Sequence, residues 1–222
     1  MCGRYSLTIT KRAVIQRFSC RDAGAPEGAR YNIAPTQTVP VVVRGEAPEL
    51  APRRWGLVPS WAKDPSIGAR MINARAETVH EKPSFRRLVD RRRCLVPADG
   101  FYEWDRSASP RIPHRFTLAG GGLFALAGLW DEWRGPDGAD LRTFTILTTR
   151  PNALLARVHD RMPVILPREL EDAWLDPARP FSELHERILT PYPADAMAGG
   201  RVSMAVNSPR NDTPACAQPA TE

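Results

Sequence analysis

Cys2 is the residue whose place in the chain offers the most distinctive chemistry. Removal of Met1 would leave Cys2 with an α-amine and a thiol on adjacent carbons, a pair that internal cysteines lack. Such an aminothiol condenses with an aldehyde to an imine, and the thiol then closes a thiazolidine ring; alternatively, the amine activates its own thiol, as in N-terminal-nucleophile hydrolases. Both groups titrate near neutrality, since an α-amine has a pKa of about 8 and a thiol of about 8.5. The alternative is that Cys2 has no chemical role and is only a small residue after Met1.

Glu103 is the first candidate for moving protons. Its neighbours Phe101, Tyr102 and Trp104 indicate a strand, whose period of two places Glu103 on the Phe101 face. A carboxylate in such an aromatic strand is partly desolvated, which raises its pKa toward the range useful for proton transfer. The structural alternative is a glutamate at a strand end that pairs with an arginine.

Several other residues could bind or transfer protons. His159 lies in a loop before a predicted strand and could shuttle protons near pH 7, or it could be structural or exposed. Asn73 and Arg75 alternate with small residues, so both could project from one face of an extended segment, an amide for hydrogen bonding and a guanidinium for phosphate. A turn and a surface charge are the alternatives. Trp55 and Trp61 could form a platform for base stacking or pack in the core.

The elements that must position these residues are short. Many short strands, scattered short helices and 22 prolines predict a single compact α+β domain over residues 1–211, with a mainly antiparallel, barrel-like sheet and short flanking helices. Residues 212–222 are rich in Pro, Ala and Thr, which predicts a disordered tail. Strands are predicted at 39–44, 94–104 (strand, turn, strand), 114–118, 123–133, 143–149, 162–166 and 202–206, and helices at 11–18, 83–91, 152–158, 168–174 and 181–189.

Composition excludes several classes of protein. No apolar run approaches the roughly 18 residues of a membrane span, which predicts a cytosolic protein, or a nuclear or organellar one if the host is a eukaryote. Four cysteines without C-x-x-C spacing and four histidines predict free thiols, no metal and no cofactor. The net charge of +6 comes from 31 basic residues, of which three are lysines, and is compatible with a phosphate-binding surface. High-GC codon usage also favours arginine, so the charge indicates nucleic acid only weakly.

Five motifs in order resemble the SRAP family, the SOS response-associated peptidases, now understood as abasic-site processing proteins. The resemblance runs from Cys2 to about Asn211. The motifs are Met1-Cys-Gly-Arg-Tyr5, Trp55-Gly-Leu-Val-Pro-Ser-Trp61, Asn73-Ala-Arg75-Ala-Glu77-Thr, Cys94-Leu-Val-Pro-Ala-Asp-Gly-Phe-Tyr-Glu103-Trp and His159-Asp-Arg161-Met-Pro163.

The resemblance implies a monomer that binds single-stranded DNA and crosslinks itself to abasic sites. By this resemblance Cys2 supplies the amine and thiol, Glu103 is the acid and base, and Asn73 and His159 orient the sugar, with His159 also helping reversal. The DNA-contacting positions are Arg4, Arg75, Arg161 and Trp61. The family also implies weak lyase activity, loss of Met1 either by an aminopeptidase or by autocatalysis and, in a bacterium, a cytoplasmic protein associated with the nucleoid when it is bound to DNA.

Two other classes of function compete with this reading. Met-Cys-Gly also opens class II glutamine amidotransferases, so an N-terminal-nucleophile cysteine peptidase or amidohydrolase is one alternative. A non-catalytic single-strand DNA-binding module is the other, and it is favoured only if Met1 is retained. The three readings differ in whether the protein attaches covalently to an abasic site.

Overall fold

The protein consists of a closed five-stranded barrel and a second sheet that lies beside it. The computed structural model describes residues 2–136 and 138–220. The strands are β1 (Arg4–Leu7), β2 (Arg21–Asp22), β3 (Arg30–Ile33), β4 (Thr38–Arg44), β5 (Pro48–Trp55), β6 (Asn73–Arg75), β7 (Arg93–Ala98), β8 (Gly100–Asp105), β9 (Ile112–Leu118), β10 (Phe124–Arg134), β11 (Asp140–Thr149), β12 (Met162–Pro163), β13 (Ile165–Leu166) and β14 (Met197–Arg201). The helices are α1 (Lys11–Arg17), α2 (Arg168–Leu175) and α3 (Phe181–Leu189), with 3-10 helices at Pro65–Arg70, Leu155–Arg157, Met204–Asn207 and Pro214–Ala217.

The barrel runs antiparallel in the order β11, β10, β7, β4 and β5, and a parallel pairing of β5 with β11 closes it. The central residues of β4, β7 and β10 are buried on both faces, so these strands appear in the sequence as continuous apolar runs. The short strand β6 extends the parallel edge, with Asn73 opposite Ile146 on β11. The prediction of an α+β domain on a mainly antiparallel, barrel-like sheet is confirmed.

The second sheet carries the start of the chain. Its order is β14, β9, β8, β1 and β3, so β1 lies between β3 and β8. Arg4 is opposite Tyr102 and Tyr5 is opposite Phe101, which brings the residues before Arg4 next to Glu103. The ring of Tyr5 is fully buried and meets the edge of Trp55, with 5.3 Å between ring centroids, so β1 is anchored on the barrel core.

Three of the predicted elements differ from the structure. Residues 83–91 form successive turns rather than a helix, because their backbone N–H groups bond carbonyls both three and four residues back. Of the helix predicted at 152–158 only the 3-10 turn Leu155–Arg157 is present. The last strand is Met197–Arg201 instead of 202–206. It contains Gly199, where an added Cβ would lie 2.4 Å from the ring of Phe116, so packing requires a residue that strand propensity disfavours.

Residues 212–220 pack against the fold, so the prediction of a disordered tail was wrong for them. Asp212 Oδ1 accepts a hydrogen bond from the backbone N–H of Asn32 at 2.9 Å, and the 3-10 helix Pro214–Ala217 buries Cys216 completely. Asn32 precedes Asp212 by 180 residues, so local composition could not reveal this contact. The last two residues of the chain lie outside the described part. Within the described ranges, every helix is too short or too polar to traverse a bilayer.

Candidate active site

Four side chains distant in the sequence meet beside the start of β1. Cys2 is fully buried, and Asn73 Nδ2 donates a hydrogen bond of 2.8 Å to its carbonyl oxygen. Glu103 and His159 are also buried, with 3.9 Å between Glu103 Oε2 and His159 Nε2. The structure therefore brings together the four residues that the sequence suggested for chemistry.

Strand pairing explains this convergence. The antiparallel register of β1 with β8 places Glu103 beside the chain that leads into Arg4. Strand β6 runs parallel to β11, and β12 pairs with the last residues of β11, Thr148 and Thr149. Asn73 and the loop before β12, which carries His159, are consequently held at the same region of the barrel.

Burial gives Glu103 the acid strength of a proton donor and acceptor at neutral pH. Its side chain is 4% exposed, and burial raises its pKa to about 7. At pH 7 the carboxyl group is therefore present in comparable amounts of the protonated and ionised forms. Such a group can give a proton in one step and accept one in the next.

His159 is held in its neutral form. Burial lowers the pKa of its imidazole below the usual range. His159 Nδ1 lies 3.0 Å from the backbone nitrogen of Arg161 and 3.2 Å from its carbonyl oxygen, so either neutral tautomer finds a partner there. Asp160 Oδ1 also lies 3.0 Å from Nδ1, so the ring would find a carboxylate partner if Nδ1 were protonated.

The thiol of Cys2 is shielded rather than activated. Burial, and then the nearby charge of Glu103, raise the pKa of the thiol far above its usual range. The Sγ atom lies 3.9 Å from the carbonyl oxygen of Arg4. In this arrangement the sulfur is a neutral thiol at pH 7, unlike the thiolate that a cysteine hydrolase uses for attack.

Two of the predicted DNA-contacting arginines flank Asn73 and His159 but differ in their partners. Arg75 is exposed at the end of β6, two residues after Asn73 and on the same face of the strand. Arg161 is largely buried, and its two terminal nitrogens form a bidentate pair with Glu77 at 2.6 and 2.8 Å. The guanidinium of Arg75 is thus exposed to solvent, whereas the charge of Arg161 is balanced by the carboxylate of Glu77.

Arg4 and Trp61 lie in different surroundings. Arg4 is half-buried, its guanidinium bonds Asn32 and the carbonyl of Val206, and it lies over the ring of Trp104 at 5.7 Å. Trp61 is 58% exposed beside a cavity of about 330 Å³. Its neighbours Ser60 and Ala62 are hydrogen-bonded to Asp131 and Trp133 of β10. Trp55, the suggested stacking companion of Trp61, is fully buried in the barrel and unavailable to a base.

Sequence reasoning gave no role to three polar residues of this region. They are Asn32, which binds Arg4; Glu77, which binds Arg161; and Asp160, which contacts His159. Glu77 follows Arg75 by two residues in an extended segment, and Asp160 is adjacent to His159, so both had a local signal. Asn32 lies outside every predicted element and had no such signal.

A metal site is not formed by the side chains that the structure describes. Across residues 2–136 and 138–220, the His, Cys, Asp and Glu side chains form no cluster of three with the spacing of metal ligands. The four cysteines are free thiols, all of them buried.

Substituting Glu103 by Gln is expected to stabilise the protein at pH 8 and to change its stability little near pH 4.5. A buried carboxyl whose pKa rises from 4.5 to about 7 favours folding in its neutral form, and this advantage is lost as the pH rises through that window. The ionised wild type is then destabilised by about 3 kcal/mol relative to acidic pH, a cost that Gln avoids. Thermal unfolding at the two pH values measures the difference.

Glu171→Gln is the matched control for this measurement. Glu171 is a buried glutamate on α2 whose carboxylate forms two 2.8 Å bonds with Arg17, so removing its charge is expected to lower the Tm at pH 8. A drop in Tm for Glu103→Gln at pH 8 similar to that of the control would contradict the assignment of Glu103 as a desolvated carboxyl.

Comparison with known proteins agrees with the motifs. The family model described as SOS response associated peptidase (SRAP) matches residues 1–209. The abasic site processing protein YoqW of Bacillus subtilis is 47% identical over 219 residues, which covers 96% of this chain and 97% of YoqW. The abasic site processing protein HMCES of Mus musculus is 32% identical over 276 residues, which covers 99% of this chain and 76% of HMCES.

A solved structure agrees with the fold as well. The crystal structure of a protein from Bacteroides thetaiotaomicron superposes with a TM-score of 0.89 and 27% sequence identity, covering 99% of this chain and all of that one. The similarity therefore extends over the whole barrel and the second sheet. Since the family model and the relatives each span nearly the entire chain, the resemblance seen in the five motifs is confirmed, and this protein belongs to the SRAP family.

Proposed function

We propose that this protein processes abasic sites in single-stranded DNA by forming a covalent thiazolidine link through Cys2 after Met1 is removed. The names of its relatives supply the class of lesion. The observation that carries the chemistry is the placement of Cys2: its carbonyl is held by Asn73, and it lies beside a buried Glu103 whose pKa is about 7. The link shields the lesion from strand cleavage.

The reaction follows from the groups on Cys2. The ring-opened abasic sugar exposes an aldehyde at C1′, and the neutral α-amine of Cys2 adds to that carbon. Loss of water gives an imine. The sulfur then bonds to C1′ while its proton passes to the nitrogen, which closes the thiazolidine ring without any other reactant. Because the buried thiol is neutral, the amine attacks first and the sulfur second.

Glu103 is the group that moves protons in this scheme. In its protonated form it donates to the ring oxygen as the sugar opens and to the departing hydroxyl as the imine forms, and as a carboxylate it takes up the proton released by the amine. His159, with Nε2 3.9 Å from Oε2 of Glu103, is in position to exchange protons with it and to assist reversal. Asn73 fixes the main chain of Cys2, which supports its proposed role in orienting the sugar.

The assignment of the DNA path rests mainly on Arg75, which is exposed two residues after Asn73. Arg75 is solvent-exposed and free to meet a backbone phosphate, which would make binding weaken with salt. Arg161 could contact DNA only by sharing its guanidinium with Glu77. Arg4 contributes charge from a half-buried position, and Trp61, with its exposed indole, would stack on a flanking base.

The hydrolase alternative fits the site less well. An N-terminal cysteine peptidase or amidohydrolase needs a thiol whose pKa is lowered, and burial raises that of Cys2. Weak lyase activity follows more directly, because an imine at C1′ acidifies C2′ and permits elimination of the 3′ phosphate. Autocatalytic removal of Met1 is the remaining peptidase activity compatible with the family. We further propose that the protein acts as a cytoplasmic monomer.

The deciding experiment is covalent capture of an abasic site. Wild-type protein whose mass shows loss of Met1 is expected to give a heat-resistant, slower-migrating band with single-stranded DNA that carries one abasic site. DNA with a tetrahydrofuran residue at the same position lacks the aldehyde and is the control, expected to bind without a covalent band. A processed wild type that forms no such band would refute crosslinking.

A further inference from the structure

We propose that residues 203–217, which we call the C-terminal strap, are part of the active site and hold Cys2 in place through Asn32 and Arg4. The strap contains the 3-10 helices Met204–Asn207 and Pro214–Ala217 and was expected to be partly disordered. It reaches past residue 209, where the match to the family model ends. This inference rests on the proposed function of Cys2 but concerns a different segment.

The strap grips the strands that carry the reacting groups. Its residues Val206 and Cys216 are fully buried in one apolar cluster with Tyr102, the residue before Glu103 on β8. On the same strand, Trp104 Nε1 donates a 2.7 Å hydrogen bond to Asn207 Oδ1. The strap therefore packs against β8 on both sides of Glu103 along the chain.

Arg4 connects the strap to β1. One terminal nitrogen of its guanidinium donates to the carbonyl of Val206 at 2.8 Å and to Asn32 Oδ1 at 2.7 Å. Hydrogen bonds from a charged donor are among the stronger ones in proteins, and burial strengthens them further. Arg4 is thus tied to the strap directly and through Asn32.

Asn32 is the hub of these contacts. It is fully buried on β3, and its side-chain N–H₂ group lies within 3.2 Å of the carbonyls of Val206, Ser208 and Asn211. Asp212 then closes the strap, because its Oδ1 accepts the backbone N–H of Asn32 at 2.9 Å and its other oxygen pairs with Arg30. A buried amide with three strap carbonyls in reach fixes the strap to β3.

The chain of contacts ends at Cys2. Arg4 follows Cys2 by two residues, and its carbonyl oxygen lies 3.9 Å from the Cys2 sulfur. On the barrel side, Asn73 binds the carbonyl of Cys2. Cys2 is therefore held between the barrel and the strap, and loosening the strap would release the end of β1 while leaving Asn73 and His159, which lie on the barrel, in place.

The test removes the closing contact at Asp212, whose side chain is one-quarter exposed. Asp212→Ala removes the acceptor of the backbone N–H groups of Tyr31 and Asn32 and the partner of Arg30. It is expected to slow crosslinking at saturating DNA by about tenfold or more, since even one hydrogen bond to a charged group contributes about that factor, with binding of tetrahydrofuran DNA changed less than about twofold. In the absence of DNA, alkylation of Cys2 by iodoacetamide, read by the mass of the N-terminal peptide, is expected to accelerate by a similar factor. Asp212→Asn keeps an oxygen acceptor and should recover most of both rates.

Glu169→Ala is the matched control, because Glu169 forms an exposed ion pair with Arg187 on the α2–α3 surface. It is expected to match the wild type in both rates. Unchanged Cys2 alkylation and crosslinking in a folded Asp212→Ala protein would overturn the proposal, and so would a loss confined to DNA affinity. If the wild type forms no crosslink, the proposed function fails, while the alkylation rates still decide whether the strap holds Cys2.

Discussion

Glu103→Gln is expected to slow crosslinking at saturating DNA by about 10²- to 10⁴-fold, the usual contribution of general acid–base catalysis. Gln has nearly the shape of Glu but neither donates an acidic proton nor takes one up. With the side chain buried and its pKa raised to about 7, the carboxyl group is suited to both transfers at neutral pH. Single-turnover rates measured on denaturing gels give the loss.

The same variant is expected to bind tetrahydrofuran DNA within about twofold of the wild type, since a buried carboxyl beside Cys2 contributes little to phosphate contacts. Glu171→Gln, which removes a buried carboxylate from α2, should leave the crosslinking rate unchanged. A Glu103→Gln protein that loses DNA binding as much as crosslinking would instead make Glu103 a structural residue.

Local pattern was sufficient to find Glu103. Alternation in the aromatic segment predicted a strand, and the structure has β8 at Gly100–Asp105 with Glu103 buried in it. The barrel-like architecture was also within reach, because continuous apolar runs such as β10 require a sheet that is covered on both faces. Such features depend on a residue and its immediate neighbours.

The convergence of the site depends on pairings that no local pattern contains. Asn73 reaches Cys2 across 71 residues because β6 adds to β11 in parallel, and the strap reaches Asn32 across more than 170 residues. The order of the five motifs indicated that Asn73 belongs to the site, whereas no feature of the sequence indicated that the strap does. The partners of Arg161 and Arg4 could not be predicted for the same reason, because Glu77 and Val206 lie far from them in the chain.

The strap and the burial of the thiol act on the same residue, Cys2. Cys2 is completely buried, its thiol is kept protonated, and its main chain is held at both sides, so the residue is positioned rather than made broadly reactive. Such a site disfavours attack on ordinary electrophiles in solution. This arrangement is consistent with the proposed function, in which the abasic sugar brings its aldehyde to the amine of Cys2.

Cys2→Ala is expected to abolish the heat-resistant crosslink while preserving a transient one. After Met1 is removed, the variant keeps an N-terminal α-amine and can still form the imine at C1′, but it has no sulfur to close the ring. Borohydride reduction should therefore trap the variant on abasic DNA although heating without borohydride releases it. Strand cleavage should rise above the wild-type level, because the imine persists and promotes elimination of the 3′ phosphate.

Comparison with another cysteine separates the role of Cys2 from a general effect of removing a thiol. Cys20 is also buried, at the end of α1, and Cys20→Ala should crosslink like the wild type. If Cys2→Ala gave a band as heat-resistant as that of the wild type, the sulfur would not be part of the link. If borohydride also failed to trap it, the amine would not reach the aldehyde. The expected pair of results, trapped by borohydride and released by heat, requires the amine and the thiol to act in sequence on the same carbon.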